Sequence, residues 1–197
     1  MIMNDWNWNS VSTVTVNWFA NNRNYERDKN DYYATEPKAV NLLLELEQFN
    51  NNIWECSCWE WHLSKAMISK WYNVYSTDLI DRWFGSVQDF LLSDKEWDWD
   101  IITNPPYKYA SDFILKWLSL TKEWAKVAMF LPIRYTEWKA RKKLFQQHPP
   151  RVIYVSSWRL KCAMNWDFDS IKGSAVSYAW FIWEKGYKWV TELKWFN

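Results

Sequence analysis

The 197-residue chain predicts a doubly wound α/β fold, and three observations carry that expectation. Short apolar runs alternate with helix-patterned stretches, which is the rhythm of βαβ units around a parallel sheet. Glu55, Asp78 and Asn104 close three of these runs, and Asp89 lies in a further region of the same kind. In open α/β sheets such strand ends are where ligands bind. The chain is 49% hydrophobic and of ordinary single-domain length, so one substantial core is expected.

Residues 1–30 are rich in Asn, Ser and Thr without apolar periodicity, and are expected to form a loosely ordered arm. At Thr35 the pattern changes: Thr35 is a candidate helix cap, Pro37 suits a first turn, and Ala39, Val40, Leu42, Leu43, Leu44, Leu46 and Phe49 give an apolar helix face. Strands are expected near 52–56, 73–77 and 99–103, with a helix near 60–70. A helix near 111–120, a strand at 126–131, a helix at 137–147 and strands at 151–155 and 175–184 complete the order. No repeat or linker divides residues 31–197, which are taken as one domain.

The net charge of +1 excludes a chain that seeks polyanions through overall charge, so nucleic-acid contact would need local clusters. Cys56, Cys58 and Cys162 are odd in number and lack paired zinc spacing; no metal site is expected, and a reducing, cytoplasmic setting fits them. No apolar run approaches the roughly 20 residues that cross a bilayer, so a membrane partner is not expected. His62 has no carboxylate or nucleophile at a telling spacing and reads as structural.

The chemistry concentrates in Asn104-Pro105-Pro106-Tyr107. An exocyclic amino nitrogen is a poor nucleophile while its lone pair is delocalised into a ring. The Asn104 side-chain oxygen and the Pro105 carbonyl can each accept one amino hydrogen, turning that lone pair outward and stabilising the positive charge that develops. The two prolines hold the backbone and remove donors. A strand terminator with a core tyrosine is the alternative reading.

This motif, the order of acidic strand ends and the segment Asp31-Tyr32-Tyr33-Ala34-Thr35-Glu36-Pro37 together resemble the S-adenosylmethionine-dependent amino-methyltransferases, and more closely the phage-type DNA N6-adenine methyltransferases. The resemblance runs from about Asp31 to the C-terminus. It implies a Rossmann-like methyltransferase domain, S-adenosylmethionine as cofactor, and DNA as partner with an adenine flipped into the site. Asn104, Pro105, Pro106 and Tyr107 would then be catalytic, with Tyr107 stacking on the base. Tyr33, Thr35, Pro37, Glu55, Cys56, Trp59, Trp61, Asp78, Asp89 and Phe90 would line the cofactor site, Asp78 holding the ribose hydroxyls, Asp89 the adenine amino group and Phe90 the ring. For Asp78 a helix N-terminal acid, and for Asp89 a plain turn, are the alternatives. Lys139, Arg141, Lys142 and Lys143, with Arg134, Arg159 and Lys161, are candidate phosphate contacts or a solvated face. The stretch 132–173 is the candidate for target choice. RNA or protein-glutamine amino-methylation, and a cofactor-dead nucleic-acid-binding homologue, are the competing functions.

The resemblance meets one conflict. Where such enzymes have a glycine-rich turn after the first strand, this chain has Trp59 and Trp61, and two indoles there would block the cofactor and leave the chain inactive as written. Trp occurs 19 times and Gly only 3 times. Trp8, Trp18, Trp59, Trp61, Trp71, Trp83, Trp117, Trp124, Trp138, Trp158, Trp166 and Trp189 stand where glycine is expected, whereas Trp6, Trp54, Trp97, Trp99, Trp180, Trp183 and Trp195 suit their surroundings. Returning the first set to glycine restores its usual level of about 7%. The pattern is the one produced when UGA codons that specify glycine are read as tryptophan, and it predicts that the first set is more exposed and more often outside helix and strand.

Overall fold

The computed structural model describes residues 34–59, 61–158, 162–163 and 176–196. The expected arm at 1–30, Tyr33, Arg159, Lys161 and Trp166 lie outside them, as do Trp6, Trp8 and Trp18.

The strands are β1 (Ala34–Thr35), β2 (Asn52–Glu55), β3 (Asn73–Asp78), β4 (Ser86–Val87), β5 (Asp100–Thr103), β6 (Lys126–Pro132), β7 (Val152–Ser156), β8 (Cys162–Ala163), β9 (Tyr178–Glu184) and β10 (Glu192–Phe196). The helices are α1 (Pro37–Leu46), α2 (His62–Ser69), α3 (Ala110–Leu120) and α4 (Lys139–Gln147), with single 3-10 turns at Phe90–Leu92, Tyr107–Tyr109 and Ile133–Thr136. Eight strands form one sheet in the order β10-β7-β9-β6-β5-β2-β3-β4. Within it β9 alone runs antiparallel to its neighbours, β6 and β7. β1 and β8 pair separately, antiparallel, with Thr35 opposite Cys162.

Strand pleating sends alternate residues to opposite faces, and the chain supplies apolar side chains at both. Ile53, Ile102, Ala128, Phe130 and Ile182 meet Ala39, Val40 and Leu43 of α1 and Leu63, Ala66 and Met67 of α2. Trp54, Ile101, Val127, Met129 and Phe181 meet Phe113, Ile114, Trp117 and Leu120 of α3. This two-sided burial makes the central strands read as continuous apolar runs and makes the fold doubly wound.

Thr35 does not cap α1: Glu36 occupies that position without a side-chain bond, and Pro37 opens the first turn. Thr35 belongs to β1 instead, which leaves its hydroxyl available to a residue across the sheet edge. The edge strand β10 was not expected, because Glu192, Leu193, Lys194 and Trp195 are all exposed and show no apolar alternation. Its bonds to β7 are made by backbone.

At the amino end of the sheet the nearly buried Glu47 joins three elements. It accepts from Arg151 at 2.5 Å and from Tyr154 Oη at 2.7 Å, with Lys126 Nζ at 3.5 Å. Burial raises the Glu47 carboxyl, yet the bonds from Tyr154 and Arg151 and the charges of Arg151 and Lys126 outweigh it and hold the group below its ordinary value. A depressed carboxylate stabilises the fold above its unfolded pKa, near 4.3, and that stabilisation is lost as pH falls through the folded value. Glu47→Gln is therefore expected to cost about 1–3 kcal/mol at neutral pH, with the gap to the parent closing in acid, as measured by urea denaturation at a series of pH values.

Candidate cofactor and acceptor site

β2, β3, β4 and β5 are parallel neighbours, so their carboxyl ends lie along one edge of the sheet. Register brings together what the sequence separates: Glu55 lies opposite Ser76, and Asp78 opposite Val87. Glu55, Cys56, Asp78 and Asn104 thus come from three adjacent strand ends, with Asp89 two residues beyond β4.

Asp78 is almost fully buried and held from both sides, Oδ2 accepting from the Trp59 amide at 3.1 Å and Oδ1 from the Ile80 amide at 3.0 Å. No helix follows Asp78 among the described residues, so the helix N-terminal reading of this acid does not apply. The backbone amide of residue 59 ties the loop after β2 to the end of β3. A second tie is the Cys58 amide, which donates to the Thr77 carbonyl at 2.9 Å.

Glu55 is fully enclosed and bonded to Ser64 Oγ, which lies 2.6 Å from Ser76 Oγ. This buried polar cluster was not anticipated; its only sequence signal is serine at two apolar-facing positions. Burial raises the Glu55 carboxyl well above its ordinary value, the bonds from Ser64 offset part of that, and the Asp78 charge adds to it. Burial likewise pushes up the Cys56 thiol and takes the Cys58 thiol to about 12. Neither cysteine is a thiolate at neutral pH. Among the described residues no cluster of His, Cys, Asp and Glu is suited to a metal ion.

Asn104 follows β5 and donates from Nδ2 to Thr35 Oγ1 at 3.0 Å. This bond fixes the amide plane and sets Oδ1 as its accepting end. Pro105 is buried, Pro106 half-buried, and the half-buried Tyr107 opens the 3-10 turn with its ring 6.1 Å from that of Tyr178. Thr35 comes from the β1–β8 pair, so a late segment of the chain backs the residue that positions Asn104.

Asp89 caps the Phe90–Leu92 turn, Oδ1 accepting from the Leu91 amide at 2.9 Å. Phe90 does not face a ligand. It is 2% exposed and packs between Trp54 and Phe113, at 5.2 and 4.9 Å. The apolar demand of the second core claims this ring, and its expected place against a nucleotide base is corrected. Pro37 serves as the first residue of α1.

Beyond β6 the chain turns through Ile133–Thr136, held to α3 by Ser111 Oγ and Tyr135 Oη 2.7 Å apart, and enters α4. Arg134, Lys139, Lys142 and Lys143 are exposed, and α4 buries none of its residues. Arg141 differs: its guanidinium lies over Tyr135 at 4.0 Å and donates to the Tyr135 carbonyl, so it braces the turn.

The loop after β2 carries Trp59 at φ 47° and Trp61 at φ 74°, backbone conformations in which a Cβ is strained. Both indoles are half-buried, Trp59 under the Arg82 guanidinium at 4.1 Å and Trp61 beside Phe84 at 5.8 Å. Ser57 Oγ, within the same loop, is buried without a hydrogen-bond partner among the described residues. An orphaned hydroxyl in the loop that follows β2 fits a polar ligand at this edge.

The sequence matches no family model and no curated protein. Solved structures share its fold. One is a Listeria monocytogenes protein assigned to the class I S-adenosylmethionine-dependent methyltransferases (TM-score 0.60, 13% identity, 94% of this chain and 73% of that one). Another is a Pyrococcus horikoshii protein assigned as an RNA methyltransferase (TM-score 0.54, 13% identity, 93% and 99%). A third is an S-adenosylmethionine-dependent O-methyltransferase of Thermotoga maritima (TM-score 0.51, 13% identity, 86% and 71%). The fold is therefore the Rossmann-like sheet of class I methyltransferases, with its antiparallel strand in β9.

A carboxyl that folding keeps neutral loses stabilising effect as pH rises from its unfolded value, near 4.3, through the raised folded value. Glu55→Gln retains the neutral form and the bond to Ser64. The variant is expected to be at least as stable as the parent at pH 8 and to lose less stability between pH 5 and 8, as measured by thermal unfolding across that range.

Proposed function

We propose that this chain is an S-adenosylmethionine-dependent DNA methyltransferase acting on the N6 amino group of adenine. The observation that carries the reading is the placement of Asn104-Pro105-Pro106 at the end of β5, with the Asn104 amide oriented by Thr35 at 3.0 Å, on the same sheet edge as Asp78. The class I methyltransferase fold supports the cofactor and the reaction class.

Bound S-adenosylmethionine supplies an electrophilic methyl group. The chain's own residues do the rest. Asp78, locked by two backbone amides, presents a carboxylate to vicinal hydroxyls of the ribose. Ser57 and Asp89 add polar contacts around it, and the enclosed Glu55 supports the loop from behind. Asn104 Oδ1 and the Pro105 carbonyl accept the two amino hydrogens of adenine and turn its lone pair toward the methyl group, stabilising the charge that forms on nitrogen. Tyr107 stacks against the base. An adenine inside a duplex is out of reach of such a site, so the base is extruded, and Arg134, Lys139 and Lys142 contact the flanking phosphates.

Methylation of an RNA base is the second reading, favoured by the likeness to the Pyrococcus horikoshii protein over nearly its whole length. The same motif chemistry serves either polymer.

Labelled S-adenosylmethionine and matched DNA and RNA oligonucleotides separate the two, presented to the chain carrying Trp59→Gly and Trp61→Gly, which is also the background for the Asn104 and Asp78 variants. Label is expected in N6-methyladenine of DNA; label in RNA alone would support the second reading. Asn104→Ala is expected to lower turnover by about 100-fold or more while leaving cofactor affinity nearly intact. Asp78→Ala is expected to do the reverse, weakening cofactor binding by roughly 10- to 100-fold. Loss of cofactor affinity with unchanged turnover in the Asn104 variant would defeat its role.

A further inference from the structure

We infer that residues 59, 61, 71, 83, 124 and 138, written as tryptophan, are glycine in the protein as its native cell makes it, through UGA codons that specify glycine. The inference rests on backbone geometry and is independent of the proposed reaction.

Among the described residues every non-glycine with a positive φ is tryptophan: Trp59, Trp61, Trp71, Trp83, Trp124 and Trp138, at 47° to 93°. The other positive-φ residues are Gly85 and Gly186. Among the described residues no Asn or Asp, the residues that tolerate this region best after glycine, is found there. Trp accounts for 19 of 197 residues, so chance would place few of them in such conformations.

The hydrogen bonds around these positions name glycine a second time. Trp71 sits just past α2: its amide bonds to the Ile68 carbonyl and the Tyr72 amide to the Met67 carbonyl. That is the Schellman ending, whose left-handed residue is usually glycine. Around Trp124, the Ala125 amide bonds to the Lys122 carbonyl, closing a turn in which Trp124 is the third residue at φ 71°. A type II turn requires glycine at that place. Trp138 precedes α4 at φ 93° and ψ 126°, a region essentially reserved for glycine.

Side-chain environment agrees. Trp71, Trp83, Trp124 and Trp138 are 67% to 97% exposed, where an indole gains little from packing. Trp54, Trp117, Trp180 and Trp183 are at most 1% exposed inside the two cores. Trp117 was placed with the glycine positions by sequence and is corrected here, since it fills the core from the middle of α3. Ordinary mutation of a decaying gene has no means of choosing positive φ. A single codon with two meanings does.

The gene and the protein provide the test. UGA is expected at these six codons and UGG at codons 54, 117, 180 and 183, with a glycine tRNA of anticodon UCA in the same genome. Peptides of the native protein should carry glycine at the six positions by mass spectrometry. UGG at any of the six, or UGA at one of the four core codons, would overturn the inference. As a second measurement, the chain carrying Trp→Gly at all six positions, made in a standard-code host, is expected to unfold on the order of 10 °C higher than the chain as written. An equal or lower midpoint would overturn it as well.

Discussion

A backbone at positive φ leaves no comfortable place for a Cβ, and this constraint governs several of the sharp turns among the described residues. The loop from β2 to α2 can dip beneath a ligand only if its chain takes that conformation. The end of α2 can hand over to β3 in three residues only through a left-handed residue, and the turn into β6 obeys the same rule. These are the short connections that keep parallel strands adjacent and their carboxyl ends level. Gly85 shows how tight such passages are: a Cβ there would lie 2.5 Å from the Ser76 carbonyl oxygen, against the strand that ends in Asp78.

The proposed chemistry depends on that levelling. Asp78 and Asn104 are far apart in sequence and come to the same edge of the sheet because β3 and β5 flank β2 and run parallel to it. The buried Glu55, Ser64 and Ser76 cluster stitches β2 to α2 and β3 behind the site, while the Glu47 network closes the opposite end of the sheet. The exposed lysines and Arg134 that follow β6 stand on the open side, where a polyanion with an extruded base would need them.

Much of this was legible in the sequence because the central strands are apolar on both faces, and Val127 to Leu131 or Ala179 to Trp183 admit little but a buried strand. The acidic strand ends and the Asn104 motif were legible for the same reason: polar residues that abruptly end apolar runs. Phe90 was misread, since an aromatic beside an acid looks alike whether it serves a ligand or a core, and only the proximity of Trp54 and Phe113 decides. The role of Thr35 as partner to Asn104 was hidden by a separation of 69 positions in sequence. β10 was invisible because its pairing is carried by backbone, to which side-chain patterns are blind. The tryptophans were suspect from composition and from turn chemistry, but positive φ separates Trp71 and Trp124 from Trp117, which composition does not.

The central claim is that the β2–α2 loop is a glycine-built cradle for S-adenosylmethionine, closed by the indoles at 59 and 61. Isothermal titration of S-adenosylmethionine into the chain as written and into the Trp59→Gly, Trp61→Gly double variant tests it directly. The account predicts binding to the double variant at least about tenfold tighter than to the chain as written, a difference of roughly 1.4 kcal/mol or more. Equal affinity of the two chains, or no binding by the glycine-restored one, would contradict it.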